Sequence, residues 1–222
     1  MQQQFTTGVN MRLRVMAAVL MFAGLGLAAR ADVTNPNFSP SNGVPGYGAV
    51  PGWTSTGATG STVYNTSGFW NNGSLPSGDT TAGFIQADGS FSTTLTGLNA
   101  GQTYTLTFMD NARDLTGDNC CNATPSLTVL VGGSTLSGPT AVTPVGDSVL
   151  FHSFSDSFVA TSAMETLEFS STTPGGTDGA LLLSDVHVLP GSTAVPEPSS
   201  LMLLGTGILG AAGMMRRRLF QS

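Results

Sequence analysis

"QTYTLTF", residues 102–108, sets Tyr104, Leu106 and Phe108 on one side of the chain and Thr103, Thr105 and Thr107 on the other. A strict period of two is the signature of a β-strand with one face buried and the other wet. The pattern repeats outward from there. Residues 126–131 place Leu127, Val129 and Val131 on one face, and Leu167 and Phe169 alternate with Thr166 and Glu168. "GALLLSDVHV", residues 179–188, reads as a closing strand, apolar at first and then alternating. Residues 83–87, 91–98 and 149–160 are further strand candidates. Gly, Pro, Asn and Ser clusters separate them, and no window of eleven or more residues carries a helical stripe. Strands at this spacing predict an all-β fold with a single jelly-roll or β-sandwich domain, 32–190.

The two ends differ from this middle. Arg12 and Arg14 precede an apolar stretch, residues 15–29, and Ala29-Arg30-Ala31 follows as a small-residue exit. That order is a secretory signal peptide, residues 1–31, with Met11 as the better start. At the other end, residues 201–215 carry no charge and Arg216, Arg217 and Arg218 follow. Fifteen helical residues reach about 23 Å, short of the roughly 30 Å hydrocarbon core. Such a transmembrane helix, within residues 199–222, suits a temporary anchor, with its arginines on the cytoplasmic side. A linker with Pro196 and Pro198, residues 191–198, joins it to the body.

Between these ends stand twelve carboxylates and one base, Arg113, a net charge of −11, and the whole chain has no lysine. Nucleic-acid binding needs a basic surface, so that class of partner is excluded. The two cysteines, Cys120 and Cys121, are adjacent. A vicinal disulfide, two free thiols and intermolecular pairing all remain open, although neighbouring residues close only a small strained ring.

Pro196-Glu197-Pro198, the Gly-containing apolar segment and the basic cluster before the end resemble the PEP-CTERM sorting signal of exported bacterial proteins. That resemblance implies export, a transient inner-membrane anchor and processing by an exosortase near the Pro-Glu-Pro motif. It further implies a place at the cell surface or in an extracellular polysaccharide or biofilm matrix. The body resembles galactose-binding-like jelly rolls through "NPNFS" (35–39), "VPGWTSTG" (50–57), "LNAGQTYTLTFMDNAR" (98–113) and "LLLSDVHV" (181–188). In that family the opening Asn-Pro-x-Phe segment lies beside the closing Asp-Val strand, and Trp53 becomes a core or cleft-rim aromatic. This chain has Ser184-Asp185-Val186 where the family often shows Asp-Asn-Val.

Catalytic constellations are sparse. No Gly-x-Ser-x-Gly elbow or His-Glu-x-x-His motif occurs, and His152 and His187 fall on separate strands. Glu165, placed in a turn, and Glu168, facing outward, read as solvated charges rather than the paired carboxylates of a glycan-active hydrolase, which stands as the alternative function. In "DNARDLTGDNCCN", residues 110–122, Asp110, Asp114 and Asp118 offer oxygen ligands suited to calcium, without EF-hand spacing. No other cofactor is implied. Trp53 and Trp70, with Asn71 and Asn72 in "SGFWNNGS" (67–74), combine aromatic rings and amides that suit a sugar. The expectation is an exported, non-enzymatic matrix protein with weak glycan binding.

Overall fold

The computed structural model describes residues 31–41, 43–63, 73–75, 79–113, 123–146, 149–176, 178–191 and 206–207. Among the described residues nine strands follow in chain order: β1 (Gly46–Tyr47), β2 (Thr54–Val63), β3 (Thr81–Leu95), β4 (Thr103–Ala112), β5 (Ser126–Val131), β6 (Ser134–Ala141), β7 (His152–Val159), β8 (Glu165–Thr172) and β9 (Ala180–Pro190). Their hydrogen-bonded order is β6-β5-β8-β3-β9-β4-β7, with β2 on β3 and β1 on β2, every pairing antiparallel.

One strand turns this ladder into a sandwich. Residues 83–86 of β3 pair with β9, and residues 89–95 pair with β8. Between them Ala87 adopts φ 58°, and its neighbour β2 shifts register between Thr56 and Ala58, at Gly57 with φ 75°. A side chain at Gly57 would fall on the Asp88 carbonyl, so the two backbones can cross this closely only at glycine. The two expected strands at 83–87 and 91–98 are therefore one bent strand. "ADGS" reads locally as a turn because it is the corner.

The interior lies between the two halves of the bent sheet. Tyr104, Leu106 and Phe108 enter it from β4, Leu127 and Val129 from β5, Leu167 and Phe169 from β8. Each such side chain contributes roughly 1.5–3 kcal/mol by leaving water. The apolar opening of β9 is covered on both faces: Leu181 and Leu183 join this interior, whereas Leu182 packs outward with Ala82, Phe84 and Met109 beneath Leu75 and Phe151.

The opening segment is tied in by Asn35. Its side chain holds the Ser39 backbone N–H (2.8 Å) and the Ser39 and Pro51 carbonyls (2.9 Å each), and the Val186 N–H donates to the Pro36 carbonyl (3.2 Å). The opening segment thus lies beside the closing strand. Asp185 does not pin it by side chain. It occupies φ 55° as the extra residue of a bulge, where β9 advances three residues against two on β4.

Two poles result. At the near pole the Asp32 N–H bonds the Thr96 carbonyl (3.2 Å) and the Gly191 N–H bonds the Thr103 carbonyl (2.8 Å), so the chain enters and leaves the body at the same end. At the far pole β4 finishes and β9 starts, joined by Arg113 N–H to the Ala180 carbonyl (2.9 Å) and closed by Ala87 N–H on the Gly179 carbonyl (2.7 Å).

Candidate functional site

The far pole carries a chain of polar contacts running from the interior to the surface. Arg113 is the base of the body, and its side chain is fully buried. Its Nη2 meets Asp178 Oδ1 at 2.9 Å and donates to the Asp178 carbonyl at 2.7 Å. Gln86 Nε2 donates to the same carboxylate oxygen, and the Tyr47 hydroxyl donates to Gln86 Oε1. The Tyr47 ring is 60% exposed and stands edge-on over Phe84, with centroids 4.9 Å apart. Desolvation raises the Tyr47 pKa, the Asp178 charge adds to this, and Arg113 opposes it.

Local sequence explains the placement. Tyr47 pairs with Gly60 across β1 and β2, and a side chain at Gly60 would strike both the Gly46 carbonyl and the Phe84 ring. Glycine at 60 is what lets β1 lie close enough for Tyr47 to cover Phe84 and reach Gln86. The result is an exposed aromatic face beside an amide and a half-exposed carboxylate, all anchored to a buried guanidinium. Such a set stacks on apolar C–H faces and exchanges hydrogen bonds with hydroxyls.

A second cluster sits at the β9 bulge. His187 Nε2 and Asp185 Oδ1 are 2.7 Å apart, and Asn37 Nδ2 donates to Asp79 Oδ1 at 2.5 Å. The Asp79 pKa is raised, first by desolvation and then by Asp185, against His187 and the Asn37 bond. A groove of about 490 Å³ runs alongside, between residues 31–36 and 186–188.

Of the residues expected at a sugar site, Trp53 is corrected. It is 7% exposed, its ring is stacked on Phe38 at 4.4 Å and flanked by Phe91 and Phe169, and its Nε1 donates to the Asn35 carbonyl at 2.9 Å. A ring enclosed in this way is a core aromatic with no face left for a ligand. Trp70, Asn71 and Asn72 lie outside the described residues, as do Asp114, Asp118, Cys120 and Cys121. Pro196, Glu197, Pro198, Arg216, Arg217 and Arg218 also lie outside them. Asp110 is described and mostly buried. It shares the face of Phe108 and Ala112 by alternation, and desolvation lifts its pKa to about 6, against the pull of His152. Among the described residues no three His, Cys, Asp or Glu side chains come together as metal ligands.

Glu165 also departs from expectation. It is buried as the first residue of β8, and its Oε1 accepts from Thr161 N–H (2.5 Å) and hydroxyl (2.7 Å). Glu168, three residues on, points to the opposite face, so the two do not flank one cleft. Sequence reasoning missed Tyr47 and Asp178 because each sits among turn residues, and Gln86 because it is a lone amide within an expected strand. The one available signal was the isolated Arg113, which had to find a carboxylate if buried.

Solved structures with a similar chain path include sugar-binding modules and parts of glycan-active enzymes. TmCBM61, solved in complex with β-1,4-galactotriose, is 15% identical, with 71% of this chain and 97% of that chain covered and a TM-score of 0.40. A family 35 carbohydrate binding module from Clostridium thermocellum is 10% identical, covering 67% and 99%, with a TM-score of 0.41. The sugar-binding EclA C-terminal domain is 21% identical over 44% of this chain, with a TM-score of 0.35; the chain spans 64% of that domain. No curated protein matches. Residues 194–218 match the PEP-CTERM protein-sorting motif, so the chain carries a signal for export through a membrane-anchored precursor and for exosortase processing. No helix among the described residues is long and apolar enough to cross a membrane.

Proposed function

We propose that the body is a non-enzymatic glycan-binding module of the cell surface or extracellular matrix, delivered there by its sorting tail. The observation that carries this reading is the exposed Tyr47 ring beside Gln86 and Asp178, held in place by buried Arg113. A net charge of −11 on the body disfavours anionic polysaccharides, so neutral hexose polymers are the ligand class. A binding role rather than hydrolysis accords with Glu165 and Glu168 facing opposite ways. Because the body is entered near Asp32 and left near Gly191 at the near pole, a tail in the membrane would turn the Tyr47 pole outward.

The test is retention of the detergent-solubilised full-length chain on an array of neutral and acidic glycans, with and without calcium. The expected result is retention by a neutral glycan, weakened about tenfold or more in Tyr47→Ala, the worth of one well-placed aromatic contact. No retention under either condition, or equal retention by the variant, overturns the assignment.

A further inference from the structure

Glu165 is a charged side chain buried at the near pole, far along the sandwich from Tyr47, and it borders a cavity of about 210 Å³. Burying a carboxylate is costly unless its oxygens are satisfied. Oε1 is satisfied, by the Thr161 N–H and hydroxyl and by the Ser162 N–H at 3.3 Å. Among the described residues none of these bonds reaches Oε2. That oxygen lies toward Gly132, where an added Cβ would stand 3.4 Å away, and Gly132 has φ +58° in the β5–β6 turn. The absent side chain leaves the carboxylate edge facing the cavity.

The remaining walls are of two kinds. Phe158 and Leu136 supply apolar surface, and Phe158 is fixed from behind by the Tyr104 ring at 5.9 Å. Ser134 and Thr135 supply hydroxyls at the exposed rim. The cavity is smaller than the roughly 300–1,000 Å³ of sites for drug-sized molecules, so it holds one small ring rather than a chain. A carboxylate oxygen that accepts from neighbouring hydroxyls, an aromatic wall for C–H groups and a hydroxyl rim fit a neutral pyranose. The same carboxylate repels an acidic one.

We propose that the Glu165 cavity is a second sugar site, taking the single end residue of a neutral glycan, and that the body bridges two glycan chains through its opposite poles. The ligand class rests on the glycan-binding reading, but the residues are independent of Tyr47. Two weak sites on one rigid body raise retention on a polymer well beyond either alone.

The experiment is saturation-transfer NMR on the full-length chain in detergent, with methyl pyranosides of galactose, glucose and mannose and with methyl glucuronide as probes. Four proteins are compared: the unaltered chain, Tyr47→Ala, Thr135→Trp, which fills the exposed rim, and Glu165→Gln, with folding checked by circular dichroism. A neutral methyl pyranoside is expected to give a signal that survives in Tyr47→Ala and that falls in Thr135→Trp to what the Tyr47 site alone retains. Glu165→Gln is expected to follow Thr135→Trp; should it unfold, the rim variant decides alone. A signal abolished by Tyr47→Ala and untouched by Thr135→Trp overturns the second site and leaves the first standing. No signal from any probe overturns both, and a signal from the glucuronide alone overturns the ligand class.

Discussion

The two poles of this sandwich are closed by different physics. At the near pole backbone bonds tie in the entering and leaving segments, Asp32 on Thr96, Gly101 on Ala160 (2.7 Å) and Gly191 on Thr103, beside buried Glu165. At the far pole a buried guanidinium holds the end of β4 to the start of β9, and its hydrogen-bonded chain surfaces at Tyr47. Backbone turns tolerate almost any side chain, which suits a pole where the segments outside the body attach. A fully buried guanidinium held by a carboxylate tolerates few replacements, which suits a pole whose surface groups must be held in fixed positions. The body is therefore entered and left at one pole, and the Tyr47 pole lies away from the attached segments.

Breaking the far pole is the severest test of this contrast. Arg113→Met leaves Asp178 and Gln86 without their anchor and is expected to cost about 3 kcal/mol, the worth of hydrogen bonds to a buried charge whose partner stays partly solvated. For a domain of this size that is a fall in Tm of roughly 10 °C by calorimetry, with loss of glycan retention. Melting within a degree or two of the unaltered protein would contradict it. Trp53→Ala is expected to cost a comparable ~3–5 kcal/mol, because it empties the space between Phe38, Phe91 and Phe169. Were Trp53 a displayed ligand contact, its removal would leave stability nearly unchanged.

Asp110 sharpens the contrast by pH. Desolvation lifts its pKa from 3.8 to about 6, so between these values the folded chain holds the proton more tightly than the unfolded one. Its contribution is fully present below about pH 4 and is lost as pH rises through about 6. Asp110→Asn is expected to stabilise the protein at pH 7 by at most about 2–3 kcal/mol and to have little effect at pH 4, by urea titration at both values. An equal effect at both pH values would show that the carboxylate is not buried as described. The smallest stability change belongs to Tyr47→Ala, within about 0.5 kcal/mol, because the ring is exposed. A loss of several kcal/mol would make Tyr47 a structural residue instead.

Much of the fold was legible because burial writes a period of two. β4, β5, β8 and β9 carry it openly, and Leu127, Leu167 and Phe169 face inward as their spacing requires. β2, "TSTGATGSTV", was invisible: its buried side chains are Thr59, Ser61 and Thr62, hydroxyls covered by neighbours rather than apolar groups. β6 was invisible as well, since an edge strand exposed along most of its length has no pattern to show. The site was less legible still. Tyr47, Gln86, Arg113 and Asp178 are brought together by the bend at Ala87 and by Gly60, neither of which leaves a periodic trace. For Trp53 the sequence left core and cleft rim both open, and burial against Phe38 with its N–H on the Asn35 carbonyl decides for the core.

The central claim is that the ends of this chain are removable addresses on a body that works outside the cytoplasm. Intact-mass analysis of fractionated cells, with and without an exosortase, tests it most directly. The expected product in the exosortase-bearing host is a released body lacking residues 1–31 and everything beyond the Pro-Glu-Pro motif, whereas the host without the enzyme keeps the tail in its inner membrane. Full-length chain in the inner membrane of both hosts would contradict the account.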